Sequence, residues 1–223
     1  MLFLFKKMKR VDIQSKYDAF VKYFEEHMPV AESELKFMNP YQLVVAVILS
    51  AQCTDKRVNM TTPALFERFP DPKSLSEASQ DDVSQLIKSI SYPNNKAKNL
   101  VRMAQVLMSD YNGIVPDNLD ELQKLPGVGR KTANVVMAVA FNKPAMPVDT
   151  HVFRVSARIG LTKGAKTPLE TEKQLVAHIP QNVLSKAHHW LILHGRYVCN
   201  ARKPKCEECG IADICDFYQK KGK

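Results

Sequence analysis

A glycine turn followed by a cationic helix start is the segment of this sequence whose residue types most clearly indicate chemistry. Residues 125–133 read LPGVGRKTA, with two glycines around Val128 between stretches of helical pattern. Glycine accepts a positive φ and lets the backbone approach a ligand, so such a turn can point N–H groups at a phosphate. A helix that opens at Arg130 adds the positive end of its dipole. The candidate phosphate-binding residues are therefore Gly127, Val128, Gly129 and Arg130.

Lys131 is the candidate nucleophile beside this turn. Arg130 and Lys131 place two cations where the helix dipole disfavours positive charge by ~0.3–1 kcal/mol each, and local rules broken without compensation tend to mark functional sites. In a helix over Lys131–Phe141 the lysine shares an apolar stripe with Val135 and Val139, so we expect it to be partly shielded from water. Shielding favours the neutral, nucleophilic amine. The pattern fits equally well a lysine that contacts phosphate and does no chemistry.

Asp149, eighteen residues after Lys131, is the candidate carboxylate. The expected helix Lys131–Phe141 rises ~16 Å along its axis, and the segment from Asn142 to Asp149 can extend up to ~26 Å. The chain is therefore long enough to return the carboxylate to the lysine. Asp149 is also a suitable N-cap for a helix over Thr150–Ile159, and one carboxylate can serve both purposes. We interpret His151 as a hydrogen-bonded structural residue rather than an acid.

Four cysteines are crowded into residues 199–215. Cys199, Cys206, Cys209 and Cys215 have the spacing Cys-x6-Cys-x2-Cys-x5-Cys and supply four thiolates, enough for a [4Fe–4S] cluster or a zinc ion. Zinc sites usually pair ligands two to four residues apart, and only one pair here does so. Such crowding indicates a metal site in a reducing compartment, and disulfides rank last.

An excess of basic residues indicates a polyanionic partner. Lysine and arginine number 32 against 23 acidic residues, a net charge of +9. Arg202, Lys203 and Lys205 lie in the cysteine segment, and residues 196–206 contain no acid. Because metal ligation holds such a loop rigidly, we expect these side chains to contact phosphates. A solvated charged face is the alternative.

The sequence has no stretch expected to enter a membrane. The longest apolar run, Leu43–Leu49, is far below the ~18 residues of a membrane span. The start, Met1–Lys7, has five apolar residues with no preceding basic region, so we expect no signal peptide. Together with the reduced cysteines, these features predict a cytoplasmic protein.

Apolar residues recur at helical spacing, and strand alternation is nearly absent. The main stripes are Tyr17–Phe24, Val83–Ile90 and Ala97–Tyr111. We expect Asp117 to cap a helix that ends at Lys124, and Gly195 to end a helical turn. The sequence therefore predicts an all-α fold, with a break between two lobes in the loop at Asn142–Pro147.

Residues 125–151 resemble the helix-hairpin-helix and Gly/Pro…Asp signature of the endonuclease III family of DNA glycosylases. The resemblance extends from LSAQ at 49–52 to the four cysteines. It implies two lobes with a DNA-binding cleft between them: a six-helix barrel lobe at 33–143 that carries the hairpin, and an iron–sulfur lobe formed by 1–32 and 144–223. It also implies that Lys131 forms the Schiff base at the sugar C1′, that Asp149 assists, and that the cysteines hold a [4Fe–4S] cluster.

The resemblance implies two further DNA-contacting loops. Family members fill the gap left by an extruded nucleotide with a glutamine from the LSAQ segment, which is Gln52 here, and with an apolar residue from a second loop. That loop reads ISYPNNKA at 90–97, where relatives usually show Gly-Leu-Tyr-Asn before a similar Lys-Ala. Tyr92 takes the place of the leucine, and its ring could stack on the opposite strand. The alternative is that Tyr92 packs under the loop.

The expected function is that of a bifunctional glycosylase and abasic-site lyase acting as a monomer on oxidised pyrimidines in duplex DNA. The first alternative is the adenine glycosylase that acts opposite oxidised guanine. That enzyme typically lacks a lysine at position 131 and carries a further C-terminal domain, whereas only eight residues follow Cys215 here. The second alternative is a non-catalytic DNA-binding hairpin or a zinc-stapled scaffold, which would have no need for Asp149.

Overall fold

The computed structural model describes residues 12–221, and every α-helix in this range is separated from the next by turns, loops or short 3-10 segments rather than strands. In chain order the α-helices are α1 (Ile13–His27), α2 (Pro40–Ser50), α3 (Asp55–Arg68), α4 (Pro72–Ser76), α5 (Gln80–Leu86), α6 (Pro93–Tyr111), α7 (Leu119–Lys124), α8 (Arg130–Ala140), α9 (Thr150–Ile159), α10 (Pro168–His178), α11 (Leu184–Tyr197) and α12 (Asp216–Lys221). The all-α prediction is confirmed.

The described chain forms two compact units. The hairpin unit consists of residues 32–147 and 184–189, and the cysteine unit consists of residues 12–31, 148–183 and 190–221. The lobe boundaries predicted from the sequence differ from these units at residue 32 and at 144–147 and 184–189. The hydrogen bond from Ser185 Oγ to the Lys143 carbonyl (3.2 Å) joins 184–189 to the hairpin unit.

Helix α2 is the centre of the hairpin unit. Asn39 caps it by accepting a hydrogen bond from the Gln42 N–H (2.9 Å), and Pro40 occupies its first position. All residues from Tyr41 to Leu49 are buried, as expected for a helix that is apolar on every side. Helices α3, α6 and α8 pack against it. Burial of α2 therefore helps to position the loop that follows it and the packed helix α8.

Aromatic packing and one buried lysine hold the cysteine unit together. Phe20 and Phe24 of α1 contact the fully buried Trp190 of α11, whose indole N–H donates to the Met28 carbonyl (2.8 Å). The ammonium group of Lys16 donates to the Ile159 carbonyl (3.0 Å) at the end of α9 and pairs with Asp216 at the start of α12. These contacts join α1 to α11, which precedes the cysteine segment, and to α12, which follows it.

Three local predictions need correction. Helix α7 is capped by Asn118, which accepts from the Glu121 N–H (2.9 Å), because Asp117 is engaged by Lys143 instead. Gly195 does not end a turn, since α11 continues through it to Tyr197. The helical stripe predicted over Val83–Ile90 is too long, because α5 ends at Leu86; Ile90 lies in the following loop, where its side chain is buried.

The apolar stripes at Tyr17–Phe24 and Ala97–Tyr111 do form helical faces, in α1 and α6. Among the helices of residues 12–221, none combines the length and apolar character needed to cross a membrane. The segment Met1–Lys7, for which no signal peptide is expected, lies outside the described residues.

Candidate functional site

The glycine turn joins α7 to α8, and both Gly127 and Gly129 are exposed to solvent. Gly127 has a φ of +81°, and a Cβ added there would lie 3.1 Å from Asn99 Cβ, so both conformation and space favour glycine. Gly129 is the N-cap of α8, and an added Cβ would meet nothing within 4 Å. The N-cap residue Gly129 supplies no side-chain cap hydrogen bond to α8, and the start of a helix favours an anion.

Val128 has a different part in the turn from its glycine neighbours. Its side chain is buried in the core of the hairpin unit, and its N–H donates to the Leu125 carbonyl (3.0 Å). The residue therefore anchors the turn from inside. Gly129 and Arg130 are exposed beside it.

Lys131 lies in the first turn of α8 and is exposed, so the predicted shielding on an apolar stripe is wrong. Val135 and Val139, its partners on that stripe, are half-buried. Side chains of an α-helix tilt toward the N-terminus, so a residue in the first turn projects past the helix end, where no preceding turn covers it. The amine is accordingly accessible to a ligand bound at the uncapped start of α8.

Asp149 caps α9, the helix predicted over Thr150–Ile159. Its Oδ1 atom accepts a hydrogen bond from the Val152 N–H (2.8 Å), and the residue is half-buried. The cap fixes the carboxylate in one orientation while using one of its two oxygens. The interpretation of Asp149 as an N-cap is therefore confirmed.

Two arginines on α9 reach the cysteine segment. Arg154 Nη2 lies 3.2 Å from His151 Nδ1 and donates to the carbonyls of Gly195 (2.9 Å) and Cys199 (3.2 Å). His151 is thus hydrogen-bonded, as expected. The close packing also explains Gly195, since a Cβ there would lie 2.9 Å from His151 Cβ.

Arg158 supports the first cysteine directly. Its guanidinium group donates to the Asn200 (2.7 Å) and Ala201 (2.8 Å) carbonyls, lies 3.5 Å from Cys199 Sγ, and stacks over the Phe217 ring at 4.7 Å. The sequence pattern gave no sign of this role, because arginine and cysteine are 41 positions apart. The guanidinium group thus holds the backbone that follows this cysteine and donates toward the sulfur.

All four clustered cysteines line one cavity of the cysteine unit. Ile159, Val198 and Ile211 contribute apolar walls to this cavity. None of the cysteines is in a disulfide. The remaining cysteine, Cys53, is half-buried in the hairpin unit.

The four thiols that line the cavity are the ligand set of a [4Fe–4S] cluster. Only Cys206 and Cys209 have the two-to-four-residue spacing that is usual for a pair of zinc ligands. Burial raises the pKa of the Cys209 and Cys215 thiols, so iron coordination is what would hold them as thiolates.

His194 is a second neighbour of the cysteines that sequence patterns did not reveal. Its Nε2 atom lies 3.6 Å from Cys209 Sγ, and its ring packs edge-on against Phe24. Burial lowers the pKa of His194 to about 4, so the ring is neutral at physiological pH.

The basic residues of the cysteine segment are presented to solvent by a constrained loop. Arg202, Lys203 and Lys205 are all exposed. The Lys205 N–H donates to the Val198 carbonyl (3.0 Å), and the Arg158 bonds hold the loop from its other side. Their arrangement fits the expected contacts to a phosphate backbone.

The structure brings Gln52 and Tyr92 into neighbouring loops of the hairpin unit. Ser91 Oγ donates to the Gln52 carbonyl (2.9 Å), which links the loops directly. Both residues have a positive φ, +54° at Gln52 and +57° at Tyr92. The Tyr92 side chain is 63% exposed, so it does not pack under its loop. Pro93 follows at the first position of α6.

Comparison with known proteins assigns the family. Residues 45–181 match the HhH-GPD superfamily of base excision DNA repair proteins, and residues 199–215 match the iron–sulfur binding domain of endonuclease III. The chain is 50% identical over 195 residues to endonuclease III of Rickettsia prowazekii (strain Madrid E), covering 87% of this chain and 92% of the relative. The chain belongs to the endonuclease III family.

Other relatives and solved structures agree with this assignment. Endonuclease III of Escherichia coli (strain K12) is 41% identical over 214 residues, covering 96% of this chain and 98% of the relative. The fold matches the structure of a trapped endonuclease III–DNA covalent intermediate, an estranged-adenine complex, with a TM-score of 0.88 and 42% identity, covering 94% of this chain and 99% of that one.

Membership of the endonuclease III family identifies the chain as a DNA-binding base-excision enzyme, a DNA glycosylase and abasic-site lyase. Its fold is the helix-hairpin-helix glycosylase fold, and its cofactor is a [4Fe–4S] cluster. The family match that begins at Cys199 and ends at Cys215 covers the segment whose four thiols share the cavity.

Proposed function

We propose that this chain excises oxidised pyrimidines from duplex DNA through a Schiff base formed by Lys131. The neutral amine attacks the sugar C1′, and the bond from C1′ to the damaged base breaks, with its electron pair leaving on the base. After the sugar ring opens, the resulting imine acidifies the C2′ proton. Loss of that proton and of the 3′ phosphate cleaves the strand by β-elimination.

The exposure of Lys131 at the uncapped start of α8 is the observation that carries this proposal. An amine there is accessible to a sugar whose flanking phosphate lies at the positive start of the helix. The structural neighbour was trapped as a covalent protein–DNA intermediate, and such an intermediate requires a nucleophile. Lysine is the residue type that forms Schiff bases.

Asp149 is the carboxylate proposed to assist Lys131. An ammonium group must lose its proton before it can attack, and a nearby carboxylate can accept that proton and stabilise the cationic sugar that forms as the base departs. The cap on α9 keeps the carboxylate in one orientation, which lowers the cost of positioning it for the reaction.

DNA is held, in this proposal, by three groups of contacts. The glycine turn at 127–129 and the positive start of α8 bind a phosphate beside the lesion, and Arg202, Lys203 and Lys205 bind the backbone elsewhere. Gln52 and Tyr92 enter the duplex where the lesion has been extruded.

When bound, the [4Fe–4S] cluster cross-links the four clustered cysteines and so stiffens the basic loop between them. We further propose that the enzyme acts as a monomer in the cytoplasm, on DNA of the nucleoid.

Borohydride trapping tests the nucleophile. A Lys131→Gln variant should form no covalent complex with a thymine glycol duplex while still binding it, because the hairpin backbone is unchanged. Lys98→Gln removes a charge from an exposed lysine of the hairpin unit and should trap normally. Normal trapping by Lys131→Gln would refute the assignment. Excision of adenine opposite oxidised guanine, without thymine glycol release, would favour the adenine glycosylase instead.

A further inference from the structure

A buried lysine links the two loops that carry Gln52 and Tyr92. Lys96 of α6 is 7% exposed, and its ammonium group donates to the carbonyls of Leu49 (2.8 Å) and Ala51 (2.6 Å). Among residues 12–221 no carboxylate forms an ion pair with it. Burial lowers the pKa of Lys96, so this position has a cost that its hydrogen bonds must offset.

The partners of Lys96 are the backbone oxygens at the end of α2. These carbonyls lack partners within the helix and carry the negative end of its dipole, so they favour a cation. The neighbouring Gln52 carbonyl accepts from Ser91 Oγ (2.9 Å). Three carbonyls of the segment Leu49–Gln52 are thus bound by two side chains from the Tyr92 loop and the helix that follows it.

The main chain of Lys96 also contacts Tyr92, because its N–H donates the first backbone hydrogen bond of α6 to the Tyr92 carbonyl (3.1 Å). Gln52 and Tyr92 both adopt a left-handed conformation that side-chain-bearing residues rarely occupy. Such conformations persist when surrounding contacts determine them. A single residue therefore contacts both strained segments, one with its side chain and the other with its main chain.

We propose that Lys96 is a positioning residue that holds the Gln52 and Tyr92 loops together as one gap-filling element. This inference rests on the proposed insertion of Gln52 and Tyr92 into the duplex. Extrusion of a paired lesion requires the gap to be filled as stacking and pairing are lost, whereas a preformed abasic site has no base to unpair. Lys96 accordingly matters more for base excision than for cleavage at an abasic site.

The test compares two single-turnover rates for each variant: base release from a thymine glycol duplex, and strand cleavage of a duplex with a preformed abasic site. Lys96→Met keeps an unbranched side chain that is one atom shorter and removes its donors. The ratio of release to cleavage should fall about tenfold. Lys98→Met, the same substitution at an exposed position of α6, should leave the ratio unchanged.

Ser91→Ala provides a second variant, because it removes only the hydrogen bond to Gln52 and leaves the buried lysine in place. Its ratio should fall about threefold with an unchanged thermal midpoint. In a Gln52→Ala/Tyr92→Ala background, adding Lys96→Met should change the ratio less than twofold, because no gap-filling side chains remain to be positioned.

The positioning role of Lys96, the insertion of Gln52 and Tyr92, and the Schiff-base chemistry would each be refuted by a different result. Equal losses of both rates in Lys96→Met and an unchanged ratio in Ser91→Ala would overturn the positioning role and leave only a structural one. An unchanged ratio in Gln52→Ala/Tyr92→Ala would overturn the insertion itself and this inference with it. Failure of Schiff-base chemistry is detected separately, by loss of borohydride trapping in the unsubstituted enzyme.

Discussion

Replacing Asp149 by asparagine or by alanine separates its helix cap from its proposed chemistry. Oδ1 of Asp149 accepts the Val152 N–H at 2.8 Å, and an asparagine oxygen can accept the same bond. Because asparagine and aspartate rank equally as N-caps, Asp149→Asn should change the free energy of unfolding by less than ~0.5 kcal/mol. Asp149→Ala loses the cap and should cost about 1 kcal/mol, which lowers the thermal midpoint of a chain of this size by about 2–4 °C.

The activity of the Asp149 variants should depend on the negative charge at position 149 and not on the helix cap. Both Asp149 variants lose the carboxylate, so both should release base from a thymine glycol duplex at least about a hundredfold more slowly in single turnovers, within the usual range for general acid–base catalysis. Asp71→Ala is the matched control, because Asp71 caps α4 with a bond of the same length, 2.8 Å to the Ser74 N–H. It should lose a similar amount of stability and keep its activity.

Two results would refute this reasoning about Asp149. Full base release by Asp149→Asn would show that the charge is not needed. Equal destabilisation by Asp149→Asn and Asp149→Ala would show that the cap does not explain the stability effect.

Analysis of anaerobically purified protein should give about four irons and four sulfides per chain, and Cys209→Ser should lose most of both; stoichiometric zinc without sulfide would contradict the cluster. Lys203→Glu combined with Lys205→Glu should weaken binding to all duplexes alike and reduce the slope of log affinity against log salt by about two, so an unchanged slope would exclude phosphate contacts. Burial raises the pKa of Tyr17 and Tyr41, so the folded state holds their phenol protons more tightly than the unfolded state does. Their contribution to stability is therefore fully present below the unfolded pKa of about 10 and is lost as pH rises above it. The urea midpoint should accordingly fall less between pH 9 and 11 in a Tyr17→Phe/Tyr41→Phe variant than in the unsubstituted protein.

Features encoded over a few adjacent residues could be predicted from the sequence. The glycine turn at 125–129, the helix after it and the cap at Asp149 all depend on local backbone preferences, and the structure contains each of them. The cysteine spacing likewise indicated a metal site, and the four thiols do share a cavity.

Choices between equally suitable neighbours required the tertiary structure. Asp117 and Asn118 are both good caps for α7, and the decision falls to Asn118 because Lys143, 26 residues away from Asp117, binds that aspartate. The exposure of Lys131 follows from its place in the first turn of α8, which the helical stripe of apolar residues alone did not show.

The sequence by itself determined the all-α class, the family and the residue types that carry the chemistry, because helical periodicity and short motifs are local properties of a chain. Only the tertiary structure revealed Arg158 beside Cys199, His194 beside Cys209, and Lys96 across the two loops. These partners are separated by 41, 15 and 47 positions. Contacts of that range form only once packing of the helices has brought distant backbone carbonyls and sulfurs within hydrogen-bond reach, and no local pattern encodes them.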